Sequence, residues 1–383
     1  MAHGARSTMV VVLAAALAVA AWTGADAPRI ATPSAAPSVI GGSSAAVVID
    51  GVPNVGSATS ALGSVWVVAS TAPDVFSPGE LGATVYRIDP ETRRVGHVLD
   101  SPGLEPVLIE AGDRMWITLA DRLVVVDAGG RQQASVPLQL GRSDGLAASD
   151  GLVWLTRHDR DRLVAFDAVS SNVAAEVETG AFPVTPLIAF EHVWVPNLID
   201  GTVTIVDVAG ERRVRTHFVT DRPKSIFAVP GAPGGNEVWV TNVDGDVFAL
   251  NASNPQIGAV RQVRTDRSIN RVIAIGDRVV LLPTWGTNAL VVDLATEVVL
   301  AEVPLDSIPV RGVAHDGLVW VVTDGHAETL VAVDPIALEV VRRVDVGANR
   351  SNTTGPQAPI VVGREVWVPN RGDGMIVIVG VDA

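Results

Sequence analysis

The sequence predicts an all-β protein: a single β-propeller of eight four-stranded blades, with seven blades as the alternative, closed by an amino-terminal strand that completes the last blade. Three observations predict it. A hairpin built round a tryptophan recurs along the chain, an Asp or Asn closes the strand that follows in nearly every copy, and the two ends of the chain each carry part of one repeat.

The clearest hairpin runs from Glu191-His192-Val193-Trp194-Val195-Pro196-Asn197 through an Asp200-Gly201 turn to Thr202-Val203-Thr204-Ile205-Val206-Asp207. Apolar residues alternate with their neighbours on both sides of a tight turn, which is the pattern of two half-buried antiparallel strands. Taking the tryptophan as a register mark gives Trp66, Trp116, Trp154, Trp194, Trp239, then Val280 in the same slot, then Trp320 and Trp367. The spacing is about 40 residues, a propeller period. Each unit has an apolar first strand, a tight turn such as Gly112-Asp113 or Asp316-Gly317, and the tryptophan strand. A third strand follows, ending at Asp89, Asp127, Asp167, Asp207, Asn251, Asp293 or Asp334, and then a fourth, such as Ala301 to Pro304 or Val341 to Val346.

After Trp367 the chain has only Met375 to Val379 as a third strand, and no fourth. Ala46 to Gly51, ahead of the first unit, is patterned like the fourth strands elsewhere. That strand is expected to complete the last blade and so cover two sheet edges that would otherwise pair with other chains.

Nearly half of the 383 residues are apolar and 18% are charged, which fits a packed globule. The net charge of −14 disfavours nucleic acid and anionic lipid surfaces as partners. There is no cysteine, which excludes disulfides, thiolate chemistry and cysteine-ligated zinc. Residues 1–27 read as an export signal: Arg6, an apolar run from Met9 to Ala21, and a small-x-small site at Ala25-Asp26-Ala27. Pro28 disfavours cleavage there and leaves Ala18-Val19-Ala20 as the other site. Either the signal is removed, or it stays as an anchor and provides the membrane attachment. Residues 28–45, rich in Pro, Ala and Ser, read as a tether, and 46–383 as the propeller. The expected location is outside the cytoplasmic membrane, secreted or tethered, and the expected state is a monomer.

Val238-Trp239-Val240-Thr241-Asn242 resembles the motif of the YVTN-type (YncE-like) propeller repeats, and Tyr86-Arg87-Ile88-Asp89-Pro90-Glu91-Thr92 resembles the same family's I-D-P-x-T segment. The resemblance spans 46–383. It implies the fold and no particular activity, since the shared residues are structural. Members commonly have seven blades. The long insertion from Ala69 to Gly82 makes blade 1 the hardest to count.

Most residue types that carry chemistry have a structural reading here. The slot tryptophans read as packing between blades, and the Asp column as turn caps. The histidines show no metal-binding spacing, no nucleophile elbow is present, and Arg371-Gly372-Asp373 reads as a chance adhesion tripeptide. No cofactor and no metal are expected. One constellation departs from this background. On the face that holds the channel mouth, the loops entering the first strands bring Arg222 and Lys224, then Arg267 and Arg271, then Arg311, onto three consecutive blades. Trp285 lies outside the tryptophan slot, in a loop on that face, and Arg157, Asn197, Asn242 and Asn370 end second strands there. Guanidinium groups beside an indole and amides suit a carboxylate, a phosphate or an acidic sugar. The competing reading is solvated charge paired with Asp144, Asp159 or Asp221.

The functional expectation is an exported binding or scaffolding module whose partner is a protein, a glycan or a small anionic ligand. The alternative is an enzyme resembling the streptogramin B lyases, whose channel mouth carries His, Glu and magnesium. The strand-end slot that is acidic in that family reads Asn197, Asn242, Asn370, Arg157 and Thr323 here. An eight-bladed quinoprotein dehydrogenase fits less well, because the tryptophan is misplaced and there is no cysteine.

Overall fold

The computed structural model describes residues 47–49, 52, 54–70, 82–103, 105–138, 145–149, 151–208, 213–232, 235–255, 260–324, 328–347, 357–371 and 374–381. The signal and tether segments, the insertion at 71–81, Asp144, and Gly372 and Asp373 of the tripeptide lie outside these.

All secondary structure among the described residues is β, in eight four-stranded antiparallel sheets arranged as a propeller. The ring has eight blades, not seven. Blade 4 shows the pattern: first strand Leu187–Ala189, second His192–Asn197, third Thr202–Asp207 and fourth Val214–Phe218, paired in that order. First strands of neighbouring blades touch all the way round, blade 8 to blade 1 included, and line the central channel. The last blade is completed by Val47–Ile49, which pairs antiparallel with Met375–Gly380 in the register Val47↔Ile378 and Ile49↔Ile376.

The tryptophan slot explains how blades adhere. Seven slot tryptophans are fully buried, and each packs into an apolar cluster shared with the following blade. Trp194 of blade 4, for example, joins Val238, Val240 and Leu250 of blade 5. The eight clusters form one core per junction, so the hydrophobic core of this fold is a ring of interfaces. Burying a side chain of this size removes a large apolar area from water, which is the main stabilising contribution at each junction.

Junction 6/7 lacks the indole because Val280 takes the slot, paired with Ile273 and Val291. Blade 7 compensates with Gly312. A Cβ there would come within 2.8 Å of the Ile273 side chain and 3.5 Å of Leu282, so the glycine admits branched side chains where other junctions hold a ring.

The Asp column caps turns on the lower face, where third strands pass to fourth strands. Asp89 accepts the Glu91 and Thr92 amides, Asp127 those of Gly129 and Arg131, Asp167 those of Val169 and Ser170, and Asp334 those of Ile336 and Ala337. Asp207 differs: it takes the Arg215 guanidinium at 2.7 Å and His192 at 3.2 Å. Amide donors hold the carboxyls of Asp89, Asp127 and Asp167 below their ordinary pKa, led by Thr92, Arg131 and Ser170 respectively; for Asp293 the Thr296 hydroxyl leads. A carboxyl that ionises more readily in the folded chain stabilises the fold fully above its unfolded pKa, and that contribution is lost as pH falls through the folded value. The loss therefore lies below about pH 4. Thermal midpoints of Asp167→Asn should lie below wild type at neutral pH and converge with it in acid. A parallel offset down to about pH 2 would contradict this origin.

Candidate functional site

The upper face holds the loops from second to third strands and those entering the first strands, and so it frames the channel mouth. Four first strands carry a β-bulge close to that mouth. In blade 1 the register shifts between Val55 and Ser57, in blade 5 between Pro223 and Ser225, in blade 6 between Ile269 and Arg271, and in blade 7 between Pro309 and Arg311. A bulge inserts one residue, bends the strand and re-aims the side chains beside it. Lys224 is itself the inserted residue in blade 5, and Arg271 and Arg311 directly follow the insertions in blades 6 and 7.

These three cations differ from the other two of the predicted arc. Arg222 lies in the left-handed region (φ 51°), and its Nη2 donates to both oxygens of Asp244, at 3.2 and 3.0 Å. Arg267 turns outward to Glu302 on the outermost strand of blade 6, at 3.1 and 2.9 Å. Both are exposed rim pairs, worth little stability. The side chains of Lys224, Arg271 and Arg311 make no hydrogen bond or ion pair among the described residues. Lys224 remains exposed, yet burial lowers its pKa, and the positive charge of Arg311 from two blades away lowers it further. Burial alone lowers that of Arg311. Among the described residues no carboxylate offsets either effect. The three therefore form a like-charged group over blades 5, 6 and 7 that lacks a counter-ion among the described residues.

The polar strand ends are structural. Arg157 is buried and holds Asp159 at 3.2 Å. The fully buried Asn197 donates to the hydroxyls of Thr202 and Thr204, both at 2.9 Å. Gly180 is needed beside it, because a Cβ would lie 2.8 Å from the Asn197 amide nitrogen and 2.7 Å from Asp200. Asn242 accepts the amides of Asp244 and Asp246, folding its loop into a tight turn. Asn370 donates to Glu328 at 2.6 Å, with both side chains sealed from solvent. Trp285, in contrast, is 67% exposed on the loop after the second strand of blade 6.

Sequence reasoning missed the carboxylates at the mouth. Glu328 opens the third strand of blade 7 and meets Asn370 of blade 8, and Glu105 on the loop entering blade 2 meets Arg371 at 2.9 Å. Nothing in the local pattern marks these partners, which lie 42 and 266 residues apart. His158, whose ring lies 4.9 Å from that of Phe182, stands on blade 3. It is four blades from Glu328, so the two do not form an acid–base pair. The nearby carboxylates of Asp159 and Asp161 are engaged by Arg157 and by the Phe182 amide. Among the described residues no group of three His, Asp or Glu comes together as a metal site.

Exposed apolar side chains of the upper face also escaped notice. Ile199, Phe218, Val243 and Ile308 stand with Trp285 on blades 4 to 7, each between 39% and 68% exposed.

No protein-family model matches the chain, and no curated protein matches it in sequence. Solved structures do resemble it. The computationally designed Ika8 protein is similar over 86% of this chain and 97% of its own, with a TM-score of 0.65 at 14% identity. Virginiamycin B lyase from Staphylococcus aureus is similar over 71% and 94%, with a TM-score of 0.52 at 13% identity. Kuenenia stuttgartiensis hydrazine synthase is similar over 72% and 95%, with a TM-score of 0.51 at 15% identity. At such identities the likeness establishes a shared propeller fold and nothing about activity.

Proposed function

We propose that the protein is an exported β-propeller binding module, akin to the YVTN-type repeats, that captures an anionic group at its channel mouth. The observation that carries this reading is the set Lys224, Arg271 and Arg311. A chain of net charge −14 has ample carboxylate to neutralise three cations, and it does so for Arg222 and Arg267. Leaving the inner three without counter-charge among the described residues, on strands bent by bulges, costs desolvation and mutual repulsion. A bound anion offsets both through charge-assisted hydrogen bonds, and the guanidinium forks suit carboxylate or phosphate. Export is supported by the apolar run at 9–21. The lyase-like alternative rests on the shared fold and has no acid–base pair behind it among the described residues.

Thermal unfolding in the presence of phosphate, citrate, galacturonate or magnesium tests the reading. An anion at about 100 times its dissociation constant should add roughly 2.7 kcal/mol, and the shift should vanish in the Arg271→Ala/Arg311→Ala variant. A shift from magnesium alone would favour the enzyme, and a shift that survives in the double variant would place the site elsewhere.

A further inference from the structure

The exposed apolar side chains and the cations left unpaired among the described residues occupy the same sector of the same face. Ile199 and Phe218 belong to blade 4, Val243 to blade 5, Trp285 to blade 6 and Ile308 to blade 7. Lys224, Arg271 and Arg311 line the mouth inside blades 5 to 7. Among the described residues, no large hydrophobic on the upper side of blades 1 to 3 or 8 is comparably exposed.

This sector is also held rigid by bonds that run from blade to blade. The Thr220 amide donates to the Gly201 carbonyl at 3.2 Å, and the Asn242 amide side chain donates to the Thr220 hydroxyl at 3.2 Å. The Ser268 hydroxyl then joins the Asp244 carbonyl at 2.8 Å to the Thr284 hydroxyl at 3.1 Å, next to Trp285. The Leu305 amide donates to Thr287 at 2.8 Å, and the Ser307 hydroxyl donates to the Asp324 carbonyl. The loops that carry the exposed side chains are therefore tied to one another before anything binds, which spares a partner part of the ordering cost. Phe218 is pressed close over Gly201, where a Cβ would lie 2.7 Å from its ring.

We propose that the upper face of blades 4 to 7 docks a protein partner, which places a carboxylate of an acidic segment among Lys224, Arg271 and Arg311 and covers Val243, Trp285 and Ile308 with apolar side chains. The proposal rests on the binding reading above and names its partner class. Charge complementarity selects an anionic occupant, and the apolar rim selects polypeptide. Aliphatic Ile199, Val243 and Ile308 offer a sugar no hydrogen bonds, whereas apolar groups around an aromatic anchor and a central charge site are the makings of a protein interface. The chain is acidic overall, so a cluster of unpaired cations gives an acidic segment a defined place to dock.

The test pans a phage-displayed random peptide library against the full chain, synthesises the enriched peptides, and follows phosphate and oligogalacturonate in parallel by thermal unfolding. Enriched sequences should combine Asp or Glu with large apolar residues. Their affinity should drop at least about tenfold in Arg271→Ala/Arg311→Ala and again in Trp285→Ala, whose exposed ring is not needed for folding. The lower-face Ile336→Ala should bind as wild type does. Peptides without acidic bias, or undiminished affinity in both variants, would overturn the proposal. If the anions stabilise through Arg271 and Arg311 but no acidic, apolar peptide is enriched, the partner is not a protein and the binding reading stands. If neither anions nor peptides bind, both fail.

Discussion

Trp194→Ala is expected to destabilise the ring by about 3–5 kcal/mol. Its indole is fully buried between blades 4 and 5, among Val203, Ile205, Val238, Val240 and Leu250, and its Nε1 donates to the Ala189 carbonyl at 3.0 Å. Truncation leaves a void bounded by two rigid sheets, and neither can collapse into it without breaking register with its own neighbours. The carbonyl of Ala189 also loses its partner. Trp285→Ala, on the exposed loop of blade 6, should stay within about 0.5 kcal/mol of wild type. Urea unfolding of both variants checks the pair. Equal effects would mean that the slot does not carry the junction.

Removal of residues 1–53 should have the second large effect. It takes Ile49 and Val52 out of the junction that holds Trp367, Ile376 and Ile378. At about 1.5–3 kcal/mol per buried side chain, this costs roughly 3–6 kcal/mol. It also strips the pairing partner from Met375–Gly380, an apolar strand with Ile376 and Ile378 in register with the lost residues. An unprotected edge of that kind pairs with its like in another chain. Size exclusion over a range of concentrations should therefore show association, alongside a lowered thermal midpoint. A monomer of unchanged midpoint would mean that the closing strand is dispensable.

The fold was legible because its determinants are local and repeat. Trp194 and its counterparts occupy one register position, the Asp caps bond to amides two to four residues on, and Val47–Ile49 is patterned like the fourth strands it replaces. The insertion within blade 1 left the blade count open between seven and eight, and pairing settles it. The site was legible only in outline. The arc of cations could be aligned blade by blade, but whether each one is paired depends on tertiary contacts. Arg267 reaches Glu302 35 residues away and Arg222 reaches Asp244 22 away, while Arg271 and Arg311 meet no carboxylate among the described residues. The bulges that separate these outcomes are single inserted residues, such as Asn270 and Val310, that no composition signal marks. The apolar sector was invisible for another reason. Ile199 and Val243 look like strand residues in sequence and become surface only because they fall just past a strand end.

The pairing of Val47–Ile49 with Met375–Gly380 also decides which way the ring faces. The two strands run antiparallel with Val47 opposite Ile378, so both chain ends leave the ring on its lower side, beneath the turn caps. Val47 and Gly380 therefore lie opposite the channel mouth, and a propeller immobilised on a sensor chip through either point presents Lys224, Arg271, Arg311 and Trp285 to the solution.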